Sequence, residues 1–276
     1  MLALCKELFL KNMVKFDYHI KKEKIFLDYI EGGLEIQLSI AVDFTASNFD
    51  HGIDLHGLKS KNSKYEHAMY LVDGHIPVYR FGGEFYGNST VFHNFLCGSS
   101  YNTGISRAIN IYKHSLQNVN LSGPTNFSPI IQTISNNLKE LVSMQDNVYA
   151  ILLIITNGII SDLTNTIEII LNATIYPLSI LIVGVGNADF SNMTLLDNEL
   201  LKCKWNGNLH PRDIVHFVRI NDFIQDTIDL PKAVLKEIPD QIIEYMKYHN
   251  IEPKRSNNKM EILSSLLPAY TESLQI

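Results

Sequence analysis

The sequence predicts an α/β fold in which a doubly wound, largely parallel sheet carries helices on both faces. Three observations lead there. The run Glu35–Phe44 starts as an apolar–polar alternation and ends continuously apolar, while Tyr149–Thr156 and Pro177–Gly186 are nearly continuously apolar and rich in β-branched residues, as strands covered on both faces must be. Helix-spaced segments separate such runs, and a strand–helix alternation favours parallel pairing through right-handed crossovers. No internal repeat or low-complexity linker divides the 276 residues, so one main domain is expected.

The elements are read in chain order. Residues 2–14 have the spacing of a short amphipathic helix, and KIFLDYI after the charge run KKEK reads as a short strand. Glu31-Gly32-Gly33 is a turn before the first buried strand, Glu35–Phe44. Residues 64–74 fit a helix, and Pro77–Phe81 and Val91–Phe95 a pair of short strands around a Gly/Asn-rich turn. Residues 102–116 have helical spacing, and Pro129–Met144 forms a further helix with Ser128 as its N-cap. The stretch YAILLIITNGIISD poses a choice, because Asn157-Gly158 is also a hairpin-turn dipeptide. The run after it, Ile159-Ile160, stops too soon to be a partner strand. Asn157 is therefore placed at the C-terminal end of a parallel strand, where ligands sit in such sheets. Residues 162–173 follow as a helix capped by Asp162 or Thr164, then strands at 177–186 and 213–218. A long helix over 228–249 is broken or kinked at Pro239.

Composition narrows the function. With 46% hydrophobic residues the chain can build a sizeable core, and a net charge of −6 argues against a nucleic-acid partner. Three widely spaced cysteines, Cys5, Cys97 and Cys203, offer neither a zinc-ribbon pair nor a disulfide framework, which points to a reducing, cytoplasmic setting. The sequons at Asn88, Asn120, Asn126, Asn172 and Asn192 are then incidental. No apolar run reaches membrane-spanning length, and the N-terminus does not read as a signal peptide.

Three loops stand out. Asp43-Phe44-Thr45-Ala46-Ser47 closes the first buried strand in a D-x-T-x-S pattern, Thr125 lies in a loop just before a helix, and Thr156-Asn157-Gly158 ends the central strand. Together they offer one carboxylate, hydroxyls and an amide, an all-oxygen set suited to a hard divalent cation such as Mg²⁺. The competing reading is purely local: a strand-end turn at Asp43, a helix cap at Thr125, and a left-handed turn residue at Asn157. Gly184-Val185-Gly186 resembles a dinucleotide fingerprint, but Asp189 stands where its third glycine belongs and would repel a pyrophosphate. Asp189 and Asp197 read as loop caps. No metalloprotease histidine spacing and no nucleophile–histidine set is visible among the ten histidines, so no enzyme is expected.

These motifs resemble the metal-ion-dependent adhesion site of von Willebrand factor A domains. The chain is similar, more closely, to the A domain of copines: FLDYIEGG, AVDFTASN, LSGPTNFSPII, LLIITNGIISD, PLSILIVGVGNADF and RDIVHFV follow in the family's order. The resemblance spans residues 26–250, leaving an N-terminal extension over 1–25 and a tail over 251–276. It implies a six-stranded, mostly parallel sheet in the order 3-2-1-4-5-6. It implies Asp43, Thr45, Ser47 and Thr125 as ligands of Mg²⁺ (or Mn²⁺ or Ca²⁺), with Asn157 where the family has Asp. It also implies a non-enzymatic interaction module whose protein partner presents an exposed Asp or Glu, selected by loops around 48–63, 97–103 and 187–212. Copines carry two C2 domains that bind phospholipid in response to calcium. The stretch before the A-domain likeness is too short for one, so membrane association is expected only through domains outside this chain, in a larger assembly. The Cys/His spacing of the RING finger found in plant relatives is absent. The alternative is a scaffold that binds partners without metal, because Asn157 removes a charge from the site.

Overall fold

The computed structural model describes residues 24–49, 54–57, 63–71, 76–84, 95–96, 104–144, 147–197, 212–223 and 229–254. The elements in chain order are α1 (Phe26–Glu31), β1 (Glu35–Asp43), α2 (Lys64–Met69), β2 (Val78–Phe81), β3 (Gly83–Glu84), β4 (Phe95–Leu96) and α3 (Ile105–Asn118). Then come β5 (Asn120–Leu121), α4 (Ser128–Met144), β6 (Val148–Thr156), α5 (Leu163–Ala173), β7 (Leu178–Gly184), α6 (Ser191–Leu196), β8 (Val215–Arg219), α7 (Asp229–Leu235) and α8 (Ile238–Tyr248).

Six strands form one sheet in the order β4-β2-β1-β6-β7-β8. Counted along the chain this is 3-2-1-4-5-6, as expected. Every pairing is parallel except β2 with β4 at the edge. Asn157 is not in a hairpin, since β6 pairs in parallel with both β1 and β7. All nine residues of β6 are buried. Its side chains alternate between two cores: Tyr149, Ile151, Leu153 and Ile155 join one, and Ala150, Leu152 and Ile154 the other. Helices α1, α2, α3, α7 and α8 cover the first face, while α4, α5 and α6 cover the second.

Three local readings change and one holds. KIFLDYI is not a strand: Phe26–Glu31 is helical, Asp28 reaches back to the Ile25 N–H at 3.0 Å, and Phe26, Tyr29 and Ile30 are buried. Ser128 does not cap its helix from outside but is the first residue of α4. The long last helix is broken beside Pro239, as expected, into α7 and α8, with Pro239 in the first turn of α8, where its missing N–H costs nothing. The last strand begins at Val215 rather than Asp213, whose carboxylate accepts the Val215 N–H at 3.2 Å. The helix expected at 2–14 and the strand residues 91–94 lie outside the described residues.

One buried cation ties the far end of the sheet together. Arg212 donates to the carbonyls of Thr174 (3.1 Å), Tyr176 (2.6 Å) and Gln241 (3.1 Å) and to the Tyr149 hydroxyl (3.3 Å). Its guanidinium lies 4.9 Å over the Tyr245 ring. Thr174 and Tyr176 follow α5, so the charge sits where that helix presents its partial negative end.

Candidate metal centre

The sheet order reverses between β1 and β6, and a crevice opens at the C-terminal ends of strands flanking such a point. Asp43 ends β1 and Thr156 ends β6, and the register Val42↔Ile155 sets the two side by side. Asp43 is fully buried. Its Oδ1 accepts the Thr45 N–H at 2.9 Å and the Thr45 hydroxyl at 2.6 Å, and its Oδ2 accepts the Thr156 hydroxyl at 2.7 Å. Burial pushes the carboxyl above its usual range, against the Thr45 and Thr156 hydrogen bonds that favour the anion.

The donors around Asp43 form a directed chain. The single Thr45 hydroxyl proton goes to Asp43, so at the 3.0 Å contact between Thr45 Oγ1 and Ser47 Oγ the serine must donate. Ser47 in turn accepts from Asn157 Nδ2 at 2.9 Å. The order is therefore Asn157 amide, Ser47, Thr45, Asp43, with the only carboxylate at its end. Ser47 is exposed and Asn157 is buried. The Asn157 Oδ1, also buried, has no hydrogen-bond partner.

A second layer holds this loop. Asn48 Nδ2 donates to the carbonyls of Asp43 (3.2 Å) and Thr45 (3.1 Å), and the Tyr65 hydroxyl donates to Asn48 Oδ1 at 2.6 Å. His56 stacks on Tyr65 with centroids 4.4 Å apart. Gly82, at φ +75°, packs so close that a Cβ there would strike the Thr45 methyl, 2.2 Å away. Asn157 does not adopt a left-handed backbone: Gly158 does, with φ +120°. The amide side chain at 157 is thus free of any backbone requirement that would explain it.

Thr125 is buried but joined to the other four by no hydrogen bond. It is held from the third loop: Thr125 N–H donates to Ser161 Oγ at 3.2 Å, and Ser161 N–H to the Thr125 carbonyl at 2.7 Å. Next to it, the Asp162 carboxylate accepts the N–H groups of Phe127 and Ser128, both at 3.0 Å, and the Thr166 hydroxyl at 3.0 Å. Asp162 thus caps α4 across space while standing at the start of α5. Sequence reading missed the roles of Thr156 and Asn48 and gave Asp162 only its local one. Asp189 is the loop cap expected, accepting the Ser191 N–H at 2.9 Å.

Comparison with known proteins settles the ancestry. The family model described as Copine matches residues 55–254. The chain belongs to the copine family. Copine-A of Dictyostelium discoideum is 37% identical over 254 residues, covering 86% of this chain and 42% of that protein. Nicotinic receptor-associated protein 1 of Caenorhabditis elegans is 36% identical over 259 residues, covering 84% of this chain and 41% of that protein. The chain therefore spans about two fifths of the length of these copine relatives. Among solved structures, manganese-loaded TRAP protein of Plasmodium vivax aligns with a TM-score of 0.47 at 11% identity, over 72% of this chain and 74% of its own. Mussel byssus proximal thread matrix protein 1 with a zinc-occupied MIDAS motif aligns at 0.39 and 10% identity, over 77% of this chain and 48% of its own. Among the described residues of this copine chain, no helix is long and apolar enough to cross a membrane.

Proposed function

We propose that this copine chain is a non-enzymatic protein-interaction module that holds a divalent cation weakly at Asp43, Thr45, Ser47, Thr125 and Asn157. The observation that supports it most is the fully buried Asp43, ringed by hydroxyls at the sheet's reversal point, with the unsatisfied Asn157 Oδ1 beside it. An all-oxygen donor set with one formal charge fits Mg²⁺ or Mn²⁺ better than a softer ion. When bound, the cation supplies an open coordination position for a carboxylate. The chain's own residues do the rest: Asp43 supplies the charge, Thr45 and Ser47 orient their oxygens, and Ser161 positions the Thr125 loop. The partner is a protein with an exposed Asp or Glu, met in the cytoplasm or at a membrane reached through other parts of a longer protein.

A second reading has its own observation. The Asn157 amide already donates to Ser47, the kind of electrophilic contact a cation would make. An Asp at this position could not donate there. The chain of donors from Asn157 to Asp43 then closes without metal, and partners bind to the loops directly.

Titrating Mg²⁺ calorimetrically into wild type and Asn157→Asp separates the two. A unit negative charge about 4 Å from a divalent ion is worth about 2 kcal/mol even at the dielectric constant of water, so the variant should bind roughly thirty-fold more tightly. Asp43→Ala should show no heat in either background. Equal affinities would show that Asn157 does not weaken the site, and no heat in wild type at millimolar Mg²⁺ would remove the metal reading and leave the scaffold.

A further inference from the structure

A second cluster lies three strands from Asp43, on the edge strand β8, and three residues short of that strand's C-terminal end. Asp197 follows α6, His216 is the second residue of β8, and Glu237 stands between α7 and α8. One ligand atom from each comes within 4.8 Å of the others. The side chains of Asp197 and Glu237 are part-exposed, at 26% and 39%, while that of His216 forms the floor at 11%.

The imidazole decides what the cluster can hold. His216 Nε2 lies 2.8 Å from the Ala233 carbonyl oxygen. A carbonyl only accepts, so Nε2 carries the proton, and in the neutral ring the Nδ1 lone pair faces the cluster; burial favours that neutral form, but Asp197, the Ala233 carbonyl and Glu237 outweigh it and raise the pKa, so a proton competes with a metal here. This is how proteins orient a metal-binding histidine: the far nitrogen is fixed by a backbone carbonyl. Nδ1 is buried and makes no hydrogen bond. It lies 3.2 Å from Glu237 Oε1 and 3.8 Å from Asp197 Oδ1. Three electron-pair donors thus face one another across a gap. Ligands on a tetrahedral ion with arms of about 2.1 Å are about 3.4 Å apart, between the two measured separations.

We propose that Asp197, His216 and Glu237 form a second metal site, which takes Zn²⁺ through one imidazole nitrogen and two carboxylate oxygens. The nitrogen ligand selects against Mg²⁺, which requires hard oxygens in an octahedral array. The fourth position opens past the two carboxylates to solvent. A bound ion joins the end of α6, the edge strand and the α7–α8 junction. The residues are distinct from those around Asp43, so the two sites stand or fall separately.

The test is thermal unfolding of the whole chain with Zn²⁺ or Mg²⁺, in an Asp43→Asn background that silences the first site. A metal that binds only the folded state raises Tm, here by about 5 °C or more at saturating Zn²⁺. Mg²⁺ should have no effect. His216→Gln and Glu237→Gln should each abolish the Zn²⁺ shift. Glu237 is part-exposed, so its variant should keep a wild-type far-UV circular dichroism spectrum even if the His216 variant does not fold. Co²⁺ added in place of Zn²⁺ should give visible absorption of tetrahedral intensity, lost in Glu237→Gln. A Zn²⁺ shift that survives both substitutions would place the ion on other histidines and overturn the proposal. No shift in the parent protein would do the same, leaving a proton as the cation among the three groups.

Discussion

Replacing Asp162 by Ala should lower stability by about 3 kcal/mol, a fall in Tm of roughly 6–12 °C for a chain of this size. The carboxylate accepts from two backbone N–H groups, those of Phe127 and Ser128, at the start of α4. Each is a charge-assisted bond, and those first N–H groups have no partner within their own helix. It also anchors the Thr166 hydroxyl in the first turn of α5. One side chain thus fixes the entry of two helices that pack on the same sheet face. Phe127 is fully buried beside Phe81, at 5.4 Å between ring centroids, while Ser128 and Asp162 are half-buried, so water reaches the freed N–H groups only in part. Asp162→Asn keeps one acceptor oxygen and should recover about half of the loss. Chemical denaturation of the three proteins measures this directly. A loss below about 1 kcal/mol for Asp162→Ala would show that the helix ends are capped adequately by solvent. The same substitution loosens the segment that carries Thr125, so Mg²⁺ affinity should fall with stability if Thr125 belongs to the metal set.

The sheet was legible because its signals are local and strong. A strand covered on both faces must be apolar throughout, as β6 is, and that pattern survives in the sequence without knowledge of its neighbours. The Asp43-Thr45-Ser47 loop was legible for a similar reason: its contacts span two residues each. Apart from Asn48, which reaches carbonyls three and five residues back, what escaped notice acts over long separations. Thr156 meets Asp43 across 113 positions, and Asp162 meets Phe127 across 35. Only the parallel register brings such pairs together, and a lone Thr or Asp carries no mark of its distant partner. Asp197, His216 and Glu237 are hidden in the same way, since they come from a helix end, an edge strand and an interhelical junction. The short helix α1 misled for the opposite reason. Six residues rich in Phe, Ile and Tyr have strand propensity, and tertiary burial of Phe26, Tyr29 and Ile30 overrides it.

Acid should weaken the protein through His56 before it reaches the ordinary carboxylates. His56 is 3% exposed, stacked on Tyr65, edge-on to Phe44, and 2.6 Å from the Tyr112 hydroxyl through Nδ1. Burial lowers its pKa from 6.5 to about 4, against the attraction of Asp54. The folded protein thus keeps the ring neutral while the unfolded chain protonates it near 6.5. Stability from this group is complete above pH 6.5 and is lost as pH falls towards about 4. The difference of roughly 2.5 units corresponds to about 3 kcal/mol. Asp43 works in the opposite sense: its raised pKa means that its ionised form costs stability, which is regained on acidification. Comparing wild type with His56→Phe cancels the Asp43 contribution, since both proteins contain it. The variant loses the Tyr112 hydrogen bond at every pH but has no ring to protonate. The difference in unfolding free energy between the two should therefore shrink by about 3 kcal/mol between pH 7 and pH 4. A difference that stays constant would mean that His56 titrates normally in the fold. The consequence reaches the candidate metal centre, because Tyr65 links the His56 ring to Asn48, and Asn48 holds the carbonyls of Asp43 and Thr45. Charging His56 breaks the stack that positions Tyr65, and the loop bearing Asp43, Thr45 and Ser47 loses its support from below.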